Sequence, residues 1–250
     1  MVDPVPPRFF FIHVMKTAGT TFARQLPQQF PREAIYPSGG LDWTSPTDYE
    51  AYLNIPRLLA LSAERRAAVQ VYTGHFPVMV CDLIDPDLVR LTLLRDPIDR
   101  TLSVLNHFKR QSAYSHLSLE AIYENHHVFR FFVENHQTKV FSLGPDDDEP
   151  AINCGLTIDD ARFARARDNL ARVDVVGLTE SYGAFVDDIR RRFGWWPNGV
   201  DLHDRANVST EAWNVDAAFR RRIAAENAYD VELYQYAQRL VARRRTHSPP

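Results

Sequence analysis

Four short apolar runs, Arg8–Val14, Val69–Thr73, Val89–Leu94 and Val173–Leu178, are separated by segments of helical periodicity, and this alternation limits the fold more than any other feature. A run that is apolar at successive positions suits a strand buried on both faces. Strands that alternate with helices pair in parallel through crossovers. The expectation is an α/β fold with a central, mainly parallel sheet flanked by helices. Helix punctuation agrees: Asp96 can cap a helix starting at Pro97, with Ile98, Leu102 and Leu105 on one face. Thr157-Ile158-Asp159-Asp160 predicts another start, with Phe163, Ala166, Leu170 and Val173 as its stripe. Phe185, Ile189 and Phe193 recur every four residues before Gly194, which predicts a stop. The C-terminal region reads as helical with a break near Asn227–Asp230.

The chain's 250 residues suffice for one large core, and the expected organisation is a single domain over residues 1–250, its core about 8–242. A hydrophobic content of 45% and a net charge of −3 fit an ordinary globule and give no basic footprint for nucleic acid. Cys81 and Cys154 match no metal or redox spacing and read as reduced, structural thiols. No run approaches the ~20 apolar residues of a membrane span. The N-terminus lacks the basic and apolar regions of a signal peptide, so a cytoplasmic location without an integral membrane segment is expected. The oligomeric state is not legible.

The chemistry gathers at the ends of the expected strands, where ligands bind in open α/β sheets. Phe9–Val14 runs into Lys16-Thr17-Ala18-Gly19-Thr20-Thr21 and then a helix-like segment. A strand, a tight loop and a helix start aim backbone N–H groups at an anion, and Lys16 adds a full charge. Mere punctuation between strand and helix is the competing reading. No Walker A pattern occurs, which disfavours ATP or GTP and leaves another phosphorylated donor open. Ala18 is small enough for close backbone approach if its φ is negative. Arg95, at the end of the third run, and Ser103, in the second turn of the following helix, can grip one phosphate. Alternatively, Arg95 pairs with a carboxylate such as Asp99.

His75, in Tyr72-Thr73-Gly74-His75-Phe76-Pro77, is the foremost candidate for a general base, against a purely structural histidine. His107 comes second and His13 reads as structural. The spacing of His126, His127 and His136 meets no metal-ligand pattern, and no carboxylate cluster is arranged for one; no metal is expected.

Taken together, Lys16-Thr17-Ala18-Gly19-Thr20-Thr21 and Arg95-Asp96-Pro97-x-x-Arg100-x-x-Ser103 resemble the paired phosphosulfate and phosphate motifs of sulfotransferases. The likeness is to the carbohydrate-type family that includes heparan sulfate 2-O-sulfotransferase and many bacterial relatives. Asn135-His136-Gln137-Thr138-Lys139, Val175-Val176-Gly177-Leu178-Thr179-Glu180, Phe193-Gly194-Trp195 and Asn227-x-x-Asp230-x-x-Leu233-Tyr234 resemble further landmarks. The sequence departs from the family pattern at Met15 and Ala18, where proline and glycine are usual, and at Lys139, where arginine is usual.

The resemblance implies a P-loop-like three-layer fold and a co-substrate, 3′-phosphoadenosine 5′-phosphosulfate (PAPS). It implies that Lys16, Thr17, Ala18, Gly19, Thr20 and Thr21 hold the phosphosulfate and that Arg95 and Ser103 take the 3′-phosphate. Arg205, Asn207 and Ser209 fall where the family folds a loop over the nucleotide. His75 would be the base, and Lys16 would stabilise the leaving phosphate during in-line transfer. The acceptor would be a hydroxyl of a glycan, glycolipid or small metabolite, with Trp43 a candidate to stack on it. The competing readings are a P-loop-like kinase using ATP and a non-catalytic nucleotide-binding relative.

Overall fold

A computed structural model describes residues 6–37, 50–147, 155–200 and 215–247. Five strands, β1 (Phe9–Ile12), β2 (Ile35–Tyr36), β3 (Val71–Gly74), β4 (Val89–Leu94) and β5 (Val175–Leu178), form one sheet in the order β2-β3-β1-β4-β5. Every pairing is parallel. The principal helices are α1 (Gly19–Gln25), α2 (Met79–Ile84), α3 (Pro97–Lys109), α4 (His136–Ser142), α5 (Asp160–Ala171), α6 (Tyr182–Phe193), α7 (Ala217–Glu226) and α8 (Ala228–His247).

Why β1 lacks the polar alternation of a surface strand is visible in its packing. Phe10 and Ile12 enter a cluster with Leu170 of α5, Val140 of α4 and Leu233 and Ala237 of α8. Phe9 and Phe11, on the opposite face, enter a second cluster with Phe22 of α1 and Phe185 and Ile189 of α6. Successive side chains of a strand point to opposite faces, so both faces are buried and the architecture has three layers: helices, sheet, helices. The expected α/β fold is the observed one.

Local signals act as expected at several ends. Asp96 caps α3, its carboxylate accepting from the Ile98 and Asp99 N–H groups at 3.0 Å each. Asp159 caps α5 through the Arg162 N–H at 2.8 Å. Gly194 ends α6 with φ 69°, its N–H bonding to the Arg190 carbonyl at 2.8 Å. The C-terminal break falls at Asn227, between α7 and α8. Strand β2 carries no sequence signal of its own: two residues at the sheet edge, followed by Pro37, are too short for any pattern. Among the described residues no helix is long and apolar enough to cross a membrane.

Candidate active site

Strands β3, β1 and β4 lie side by side, with Ile12 in register with Gly74 on one flank and Thr92 on the other. The segments leaving their C-terminal ends are therefore neighbours. His75 follows β3, the Lys16 loop follows β1, and Arg95 follows β4. The chain builds outward from β1 in both directions, so this edge is the switch point of the sheet.

The loop after β1 has a defined shape. Lys16 and Ala18 have φ of 67° and 69°, while Met15 and Thr17 between and before them stay negative. Alternating signs turn successive N–H groups to one side, the geometry of an anion nest. Three carbonyls of the turn are engaged. Val14 accepts from the Thr17 hydroxyl at 2.9 Å, Met15 from Arg100 Nε at 3.0 Å, and Lys16 from Arg95 Nη1 at 3.3 Å. Among the described residues, the N–H groups of Lys16, Thr17 and Ala18 have no acceptor, and the Lys16 ammonium has no hydrogen bond or ion pair.

The positive φ of Ala18 corrects the expectation of a negative one. Left-handed backbone costs a non-glycine residue about 1–2 kcal/mol, against about 0.5–1 kcal/mol of extra chain entropy for glycine. Ala18→Gly is therefore expected to stabilise the protein by about 0.5–1 kcal/mol, raising Tm by about 1–4 °C in a thermal melt. A lower Tm would contradict this account. Gly19 is needed for another reason: a Cβ there would lie 2.0 Å from Cδ2 of His13.

Among the described residues, cations crowd the loop without a compensating carboxylate beside Lys16. The Lys16 ammonium is pushed down to about 8, first by burial and then by Arg110, Arg95 and Arg100. Arg100 is fully buried, its Nη2 donating to the Phe132 carbonyl at 2.8 Å while Nη1 has no partner among the described residues. Burial lowers it to about 10, against the attraction of Asp230. Arg95 does not pair with Asp99, which instead meets Arg220 at 3.5 Å.

Arg95 is anchored through its backbone. The Gln137 amide accepts from Arg95 N–H at 3.1 Å and donates to its carbonyl at 2.9 Å. Gln137 is in turn fixed by Asp230, whose carboxylate accepts from the Gln137 and Thr138 N–H groups at 3.1 and 2.7 Å and from the Thr138 hydroxyl at 2.7 Å. Asn227 and Asn135 complete the connection: Asn135 N–H donates to Asn227 at 2.9 Å, and Asp230 N–H to Asn135 at 3.1 Å. Asn135-x-Gln137-Thr138 and Asn227-x-x-Asp230 are thus two halves of one clamp. Their types suggest capping, but nothing in the sequence pairs segments so far apart. Lys139 is structural, buried with its ammonium donating to the Arg130 carbonyl at 2.7 Å.

His75 is buried and donates from Nδ1 to the His13 carbonyl at 2.7 Å, which leaves the lone pair on Nε2. Burial, together with Lys16 and Arg100, lowers its pKa to about 4 despite the support of that carbonyl. The imidazole is neutral at pH 7. His13 and His136 are also buried, and burial holds both well below the ordinary histidine value. A histidine depressed in the folded state gives stability that is complete above the unfolded value of 6.5 and is lost as pH falls toward the folded value. The folded state is therefore expected to weaken from pH 6.5 to pH 4, by up to about 1.4 kcal/mol per pH unit for each histidine. Denaturant titrations at pH 7 and pH 5 check this, and equal stabilities would refute it.

The other expected residues fall less closely together. Thr17 and Thr21 are buried, and the Thr17 hydroxyl is spent on Val14; Thr20 is half-buried. Ser103 is half-buried on α3, and its hydroxyl makes no contact with Arg95 among the described residues. His107 is exposed, lowered by desolvation and by Lys16. Arg205, Asn207, Ser209, Trp43 and Cys154 lie outside the described residues. Cys81 is a buried free thiol.

No protein-family model and no curated protein matches the chain. Among solved structures it is similar to the crystal structure of a sulfotransferase from Alicyclobacillus acidocaldarius, at 19% sequence identity and a TM-score of 0.47, over 92% of this chain and 94% of that one.

Proposed function

We propose that the protein is a PAPS-dependent sulfotransferase that moves a sulfuryl group to a hydroxyl of a glycan, glycolipid or small metabolite. The observation that carries the reading is the loop after β1: among the described residues its three successive N–H groups have no acceptors and the Lys16 ammonium beside them has no partner, while the carbonyls of Val14, Met15 and Lys16 are bonded. Such a concave, cationic turn fits a phosphosulfate. The paired motifs around Lys16 and Arg95 favour PAPS over other phosphorylated donors.

PAPS, when bound, supplies an activated sulfuryl group whose bond to the 5′-phosphate breaks as the acceptor oxygen bonds to sulfur. The chain's residues bind, orient and hold charge. The loop N–H groups and Lys16 face the charge that grows on the phosphate, and a positioned cation in a partly dehydrated site is worth more than one in water. Arg95 and Ser103 hold the 3′-phosphate, with Arg205, Asn207 and Ser209 as further candidates over the nucleotide. His75 Nε2 receives the acceptor proton. An anion beside Lys16 offsets two of the charges that depress His75, and so raises its basicity when the donor is present.

One thermal-shift series tests the proposal, with PAP (the bisphosphate product), ATP and AMP each at the same saturating concentration. A ligand present at a hundred times its dissociation constant stabilises by about 2.7 kcal/mol, a shift of several degrees. PAP alone is expected to stabilise. A response to ATP alone would support the kinase reading instead, and a response to none would favour a non-catalytic relative or a nucleotide site closed without acceptor.

A further inference from the structure

Two buried polar residues beside His75, His13 and Tyr52, have no part in the chemistry described so far. Tyr52 is fully buried and His13 nearly so. The Tyr52 hydroxyl lies 2.5 Å from His13 Nδ1 and 3.1 Å from Thr73 Oγ1 on β3, so it bridges loop and strand in either tautomer of His13. The Tyr52 carbonyl accepts the His75 N–H at 2.9 Å. Ring packing repeats the arrangement: His13 and His75 lie with centroids 4.3 Å apart, and Tyr52 meets both edge-on at 5.5 and 4.9 Å. On its far side the His13 imidazole fills the space that a side chain at Gly19 would need.

Leucine and phenylalanine would fill these two positions without polar atoms to satisfy, since each buried hydroxyl or imidazole nitrogen must find a partner or incur a desolvation cost. The polar pair instead fixes one object from every side. The His13 carbonyl sets the tautomer of His75, the His13 ring sets its plane, and the Tyr52 hydroxyl sets the rotation of His13.

We propose that Tyr52 and His13 are positioning residues that hold His75 as the Nδ1–H tautomer, with its lone pair on Nε2. This rests on the reading of His75 as base. An orienting group behind a catalytic imidazole acts through tautomer and geometry, and its loss lowers turnover without touching substrate.

The test is Tyr52→Phe, which keeps the ring and removes only the hydroxyl, with Thr73→Val as a second variant that removes the hydroxyl's other anchor. In protein carrying 15N-labelled histidine, long-range correlation spectra report the tautomer of His75 directly. A single Nδ1–H form is expected in the wild type and a mixture in Tyr52→Phe, where His13, released from the hydroxyl, no longer holds its carbonyl against Nδ1. PAPS turnover is expected to fall about ten-fold while the Kd for PAP changes by less than about two-fold, a split that general destabilisation would not produce. Thr73→Val should show a smaller change in the same direction, and it decides the matter should Tyr52→Phe fail to fold. An unchanged His75 tautomer in the folded variants overturns the proposal, whatever the turnover. Absence of PAP binding and turnover in the wild type would instead refute the proposed function, and the spectra would still report on the positioning pair.

Discussion

In a sulfuryl-transfer assay with PAPS, His75→Ala is expected to lower kcat by about 10²–10⁴, while the Kd for PAP stays within about two-fold of wild type. The split follows from where the side chain is tied. Nδ1 donates to the His13 carbonyl at 2.7 Å, which places the lone pair on Nε2, and the proposed phosphate-binding loop belongs to a different segment. With a pKa of about 4, His75 is already neutral at pH 7. The acid limb of kcat/KM, which reports the free enzyme, should thus lie well below the ordinary histidine value. The limb of kcat should lie higher, because bound anion offsets Lys16 and Arg100. His75→Ala should abolish both limbs. A variant with kcat within about three-fold of wild type would remove His75 from the mechanism.

Lys16→Ala should damage binding and chemistry together, lowering kcat/KM for PAPS by about 10²–10³ and weakening PAP at least about ten-fold. Its pH signature is specific. The Lys16 ammonium has a pKa of about 8, and an anion prefers the protonated form. PAP affinity should therefore be flat below pH 8 and fall above it, by up to about ten-fold per pH unit. The variant should lack that alkaline limb. Lowered stability is not the expected cause, because the substitution removes one of several crowded cations and both residues bear the same left-handed backbone at position 16. Isothermal titration at pH 6.5, 7.5, 8.5 and 9.5 measures it. A PAP affinity unaffected by the substitution would refute the cradle.

Much of the scaffold was legible because its causes are local. The four long strands announce themselves as apolar runs, and Asp96, Asp159 and Gly194 end helices through contacts within a few residues. The edge strand β2 was not legible, since two residues carry no periodicity and its pairing with β3 is decided by the sheet. At the site, residue types indicated Lys16, Arg95 and His75, but not what holds them. Gln137 reading the backbone of Arg95 and Asp230 fixing Gln137 join positions about 40 and 90 residues apart, each pair legible only in space.

By itself, then, the sequence determined the α/β alternation, the both-faces burial of β1, and the presence of a lysine loop, an arginine and a histidine at strand ends. These depend on periodicity and on capping, which act within a few residues. Tertiary structure alone decided that β3, β1 and β4 are neighbours, that Ala18 takes positive φ, and that His75 is neutral and held by His13. Each depends on what surrounds a group: which strand lies alongside, which carbonyl faces it, and how much water has been excluded. The chain encodes those surroundings only through the completed fold.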